Sequence, residues 1–233
     1  MTPAEQLPRI FQVNLSRFFD RVIWPGMDAL TAHPTLATGE AQSLEQFLDR
    51  VAAQVDNYTA NETAKSFVLT MAGIFERQLS IWARAKRPDD APMLRGFKEQ
   101  LLACAEIAEV DLGSDNVGPD LLEMFIVANV VRHGEGPACE KLRAIAPALW
   151  SNEAGDYLDL LPGPTLPSEH LRLRPADLIR YIRAGTRFWG RCDPLPGAVT
   201  EPPCQSALNW DPRSARKRDP LVRCVEGAFR RGS

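Results

Sequence analysis

The 233-residue sequence contains none of the compact motifs that announce a chemistry. Its five cysteines, Cys104, Cys139, Cys192, Cys204 and Cys224, are scattered and odd in number. Without a Cys-x-x-Cys pair they outline neither a zinc site nor a disulfide framework, and reduced thiols in a cytoplasm are the expectation. The three histidines, His33, His133 and His170, lie far apart, and no His-x-x-x-His or Glu-x-x-His occurs, so no local metal motif is written here. The glycines form no phosphate-binding loop after a strand, and no serine or cysteine sits in a nucleophile elbow. There are no internal repeats, and no cofactor is implied. No apolar run approaches the roughly 20 residues of a membrane helix, so no membrane association is expected. The opening Met1-Thr-Pro-Ala-Glu-Gln6 lacks a basic patch followed by an apolar block, so no secretory leader is expected either. A net charge of −3 excludes a dedicated non-specific DNA binder, although Asp211–Ser233 carries seven Lys/Arg against three Asp/Glu.

What is present is an ordinary globular balance, 45% hydrophobic and 24% charged, with helical periodicity over the first ~190 residues. Phe11, Leu15, Phe18 and Val22 predict a first helix that Pro25-Gly26 breaks. Ser43-Leu-Glu-Gln46 is a capping-box pattern that opens a helix with Phe47, Leu48, Val51 and Val55 as its buried stripe. Thr59-Ala-Asn-Glu62 repeats the pattern and opens the longest helix, whose inner face is Phe67, Met71, Ile74, Phe75, Gln78 and Trp82, ending at Arg87-Pro88. Met93–Glu109 forms another, with Phe97, Leu101 and Ala105. After a Gly/Asn/Pro loop, Asp120 begins a strongly apolar helix, and Pro137–Ala146 forms a short one. Tyr157–Leu161 and His170–Arg174 alternate like two short strands, and Pro175 opens a last helix to Trp189. The expectation is an all-α antiparallel bundle with a possible short β-hairpin, organised as an N-terminal helical segment 1–42, a bundle 43–192 and a Pro/Arg-rich disordered tail 193–233.

The stretch Leu121–Gly136 concentrates polar chemistry at the end of that apolar helix. Asn129 and His133 are four residues apart and share a face, and Arg132 lies beside them. Arg132 and His133 in a last turn, closed by Gly134, also read as a cap on the helix macrodipole. Against a plain cap stands Asn129, which in a buried helix would need partners. Glu76 and Arg77 on the long helix could face His133 across the bundle, as substrate contacts or as a structural ion pair. His33 and His170 read as structural or exposed.

Glu123 through His133 resembles the signature helix of the HEPN superfamily (higher eukaryotes and prokaryotes nucleotide-binding domains), in which an arginine is followed by a polar residue and then a histidine. Asn129 matches the polar position and His133 the histidine; Gly134-Glu-Gly136, the final amphipathic helix and Gly73-Ile-Phe-Glu-Arg-Gln-Leu79 are similar too, over residues 43–190. The family arginine falls at Ala128, and Arg132, one turn later, is the residue that could take its place. The resemblance implies a metal-independent ribonuclease of a toxin or phage-defence system, acting as a cytoplasmic homodimer. Its two His133 imidazoles would serve as acid and base, Arg132 would support the phosphate and Asn129 would orient it. If Arg132 does not substitute, the chain is a non-cleaving module that dimerises and binds RNA, a nucleotide or a protein partner, or a plain helical scaffold.

Overall fold

The computed structural model describes residues 2–37, 39–87, 96–150, 155–160 and 166–200. Met1–Pro202 forms one compact unit, an all-α bundle. Its helices are α1 (Pro3–Phe18), α2 (Trp24–Asp28), α3 (Leu44–Lys86), α4 (Phe97–Ala108), α5 (Val117–His133), α6 (Pro137–Ile145) and α7 (Pro175–Cys192). Among the described residues no helix is long and apolar enough to cross a membrane.

The core is built around α7, which packs on α1, α3, α4 and α5. Trp189 and Phe188 are fully buried among Phe75, Trp82 and Phe11, in edge-to-face and tilted ring pairs. The Trp189 indole N–H is satisfied by Gln78 Oε1 at 2.8 Å, which explains a buried glutamine on an otherwise apolar face. Gly185 lets α7 close on α1, since a Cβ there would sit 3.2 Å from Leu15 Cδ1.

The first helix does not stop at Pro25. A π-turn, Phe19–Ile23, precedes α2, and Trp24 N–H donates to Phe19 O five residues back. Proline cannot supply the usual bond at 25, and the wider turn carries the chain past it. The buried positions are Phe11, Leu15, Phe19 and Ile23, not Phe18 and Val22, because the inward stripe follows i+4 steps through the wider turn.

The two predicted central helices are one. α3 runs 43 residues, about 64 Å at 1.5 Å per residue, from a Ser43 cap whose Oγ accepts from Gln46 N at 3.1 Å. Thr59–Glu62 therefore lies mid-helix, and its Asn61 is buried for another reason. The expected strands are absent among the described residues: Tyr157–Leu160 and Pro167–His170 are 3-10 turns. Leu171–Arg174 is non-helical, with extended backbone at both ends and Leu171 and Leu173 buried, yet no strand lies beside it. Its backbone pairs with the Asn61 side chain instead: Asn61 Nδ2 donates to Leu171 O at 3.0 Å and Leu173 N to Asn61 Oδ1 at 2.9 Å. Arg172 N donates to Leu149 O at 2.9 Å.

Residues 193–200, expected at the start of a disordered tail, are bound to α1. Arg9 Nε meets Asp193 Oδ2 at 2.7 Å and Gln12 Nε2 donates to Val199 O at 2.6 Å. The rest of the expected tail, 201–233, lies outside the described residues, as do Met93 and Leu161.

Candidate functional site

The polar end of α5 is a surface, not a recess. At about 100° per residue, Ala128, Arg132, Asn129 and His133 fall at roughly 0°, 40°, 100° and 140° around the axis. Ala128 is 2% exposed, whereas Asn129, Arg132 and His133 are all exposed on one outward arc. The expectation of a buried Asn129 is thus corrected: the α5 residues that face the core are Leu121, Met124, Val127, Ala128 and Val130, and position 129 lies outside that arc. Among the described residues none of the three polar side chains has a hydrogen-bond or ion-pair partner. Gly134 closes the helix at φ 71° and donates its N–H to Val130 O at 2.8 Å, as a cap requires. Glu76 is half-buried and Arg77 exposed, and no hydrogen bond or ion pair joins either to the α5 trio. The expected site joined Glu76 and Arg77 on the long helix to the α5 trio across the bundle; among the described residues only the three on α5 share a face.

Two clusters that the sequence reading missed are far better connected. At one end of the bundle, the loop after α2 and the 3-10 turns meet the first half of α3. His33 Nε2 lies 3.0 Å from Asp56 Oδ2, and Asn57 bonds the His33 backbone and Gly155 O. His170 Nδ1 is 3.2 Å from Asp159 Oδ1, and Arg172 Nη2 is 3.0 Å from Asp156 Oδ2. The Arg172 and Asp156 side chains are 7% and 1% exposed, a buried ion pair. Tyr58 packs against Tyr157 with ring centroids 4.4 Å apart, and a hydrogen bond with Tyr157, then burial, push the Tyr58 pKa up to about 12. Both histidines therefore act as tethers, each oriented by a carboxylate. No sequence signal could have paired residues 23 and 11 positions apart across loops.

The second cluster ties α5 to α7. Arg180 bonds Asp120 at 2.7 Å, Glu123, and Asp177 at 3.5 Å, while Tyr181 Oη donates to Glu123 Oε1 at 2.7 Å. Burial works against the Arg180 charge, yet the bonds to Glu123 and Asp120 more than offset it and its pKa rises. Burial pushes the Asp120 carboxyl up despite Arg180. The two α5 carboxylates, Asp120 and Glu123, meeting one α7 guanidinium fix the register of the two helices.

The described thiols offer no nucleophile. Cys104, Cys139 and Cys192 are free and buried, and burial pushes Cys104 up to about 12 and Cys192 higher. Among the described residues no three His, Cys, Asp or Glu side chains are grouped to hold a metal ion. A shallow groove of about 440 Å³ beside α6 is lined by Glu140, Arg143, Ala144, Pro147 and Trp150. Its lining carries one cation, Arg143, and one anion, Glu140.

The most unusual surface is the start of α3. Every residue from Gln42 to Asp49 is exposed, so this end of the helix stands off the bundle as an arm. Leu44 is 73% exposed, Phe47 52%, Leu48 55%, Val51 38% and Val55 44%. The stripe expected to be buried is real, but nothing in the described chain covers it. Together these side chains leave about 500 Å² exposed, as much as the largest apolar patch of a typical monomer.

No protein-family model matches the chain, and no curated protein or solved structure matches it either.

Proposed function

We propose that this chain is a non-catalytic helical module, HEPN-like by resemblance, that acts by docking its α3 arm on another protein surface. The observation that carries this reading is the uncovered stripe Leu44, Phe47, Leu48, Val51 and Val55. Leaving that stripe in water costs roughly 25 cal/mol per Å², a driving force for association. The α5 end supports the non-catalytic half of the reading. The position where the resemblance expects a phosphate-gripping arginine is a buried alanine, and His133 has no carboxylate or carbonyl to set its tautomer. The carbonyl pole of α5 also disfavours an anion there, and Arg132 and His133 complement that pole.

A second reading keeps the resemblance's chemistry: a metal-independent ribonuclease of a toxin or phage-defence system, in which two protomers bring two His133 side chains to one RNA. It draws on Asn129, Arg132 and His133 sharing one exposed arc with every donor uncommitted.

Two measurements separate these. Purified chain incubated with RNA in the presence of a chelator is expected to leave it intact; cleavage that His133→Ala abolishes would establish the second reading. A photo-crosslinking residue placed at position 48 in cells is expected to give protein adducts, and the same residue at position 132 is not. A bare position 48 removes the docking function.

A further inference from the structure

We infer that the α3 arm pairs with the arm of a second copy of this chain, antiparallel, through Leu44, Leu48, Val51 and Val55. This rests on the reading of the arm as a docking surface and names its partner.

The seam spacing points to a helix as the partner. Leu44, Leu48, Val51 and Val55 follow steps of four, three and four, the alternation of d and a positions in a coiled coil. The next position is Tyr58, already packed against Tyr157, so the free seam ends where the arm enters the bundle. The back of the arm is occupied: Arg50 donates to Gly39 O and Glu40 O of the preceding loop.

The flanks point to a copy of the same helix. The e and g positions beside the seam are Glu45, Ala52, Phe47 and Gln54, which carry a single charge. The other arm charges, Asp49, Arg50 and Asp56, lie at b and c. A partner recognised by charge would find only Glu45 beside the seam, whereas an identical arm meets no repulsion. With Leu44 opposite Val55 of the second copy and Leu48 opposite its Val51, Glu45 lies beside Ala52 and Phe47 beside Gln54. A parallel pair would run the two bundles into each other beyond Tyr58; the antiparallel pair sends them to opposite ends. Two stripes of about 500 Å², Phe47 included, give some 1,000 Å², the size of a weak, concentration-dependent interface.

The test is sedimentation of the full chain from roughly micromolar to hundreds of micromolar, a range suited to an interface of this size. The mass is expected to rise with concentration from 25.9 kDa toward twice that value. Leu48→Glu and Val51→Lys, both at exposed positions, should each weaken association about tenfold or more, with the helical circular dichroism unchanged. An equimolar mixture of the two variants should recover association, because Glu at 48 of one chain faces Lys at 51 of the other only in the antiparallel register. Wild-type chain at 25.9 kDa throughout overturns self-pairing. Undiminished association in Val51→Lys overturns it as well, and a mixture that fails to recover overturns the register. Adducts at position 48 with a different protein, alongside a monomeric wild type, would sink self-pairing while leaving the docking function standing.

Discussion

Replacing Asn61 by alanine isolates one device of this fold. Asn61 is 6% exposed, and its amide is bonded at 3.0 Å and 2.9 Å to Leu171 O and Leu173 N. Alanine leaves a carbonyl and an N–H in a site where Leu171 and Leu173 are themselves buried, so water reaches neither group readily. Each unsatisfied group costs about 1–3 kcal/mol, so a loss of about 2–6 kcal/mol is expected. Asn61→Asp should be worse near neutral pH, because it sets a buried anion against the Leu171 carbonyl. Urea unfolding followed by circular dichroism reads the change as a lower midpoint with an unchanged slope. A loss of less than about 0.5 kcal/mol for Asn61→Ala, the size of an ordinary surface substitution, would refute the idea that a side-chain amide replaces a neighbouring strand here.

Arg172→Met strands the buried Asp156 carboxylate and should cost about 3–5 kcal/mol, while the double change Arg172→Met with Asp156→Leu should recover much of that loss in thermal melts. In alkaline titration at the phenolate absorbance, Tyr58 is expected to ionise near 12, and Tyr157→Phe should bring it down toward 10. Since the folded-state value is the higher one, the Tyr58 contribution to stability is complete below pH 10 and disappears as pH climbs through about 12. His133→Ala removes only an exposed, unpartnered side chain from the last turn of α5 and should shift stability by no more than about 1 kcal/mol, read as a small change in melting temperature.

Local rules in the sequence located most of the helices. Pro175 at a first turn, Pro137 after Gly136, and Gly134 as a closing residue each act within a few positions, and α5, α6 and α7 end close to where those rules place them. The errors came where the outcome depends on distant residues. Thr59–Glu62 has the pattern of a helix start, but the ladder of α3 passes through it because Asn61 is needed by Leu171 and Leu173. His170–Arg174 alternates like a strand and lacks only a strand to pair with. Periodicity identified the Leu44–Val55 stripe but could not say that no other part of the described chain would cover it. At the candidate site, the i,i+4 relation of Asn129 and His133 held, while the burial assigned to Asn129 failed because an apolar helix can still turn one arc to solvent.

The unbroken course of α3 has a mechanical consequence. Because no joint interrupts the residues between Leu44 and the aromatic core at Phe75 and Trp82, anything gripped at the tip is held at a set distance and rotation relative to the body. Torque applied there travels along the backbone ladder to α7 rather than dissipating at a hinge, so the tip works as a rigid lever.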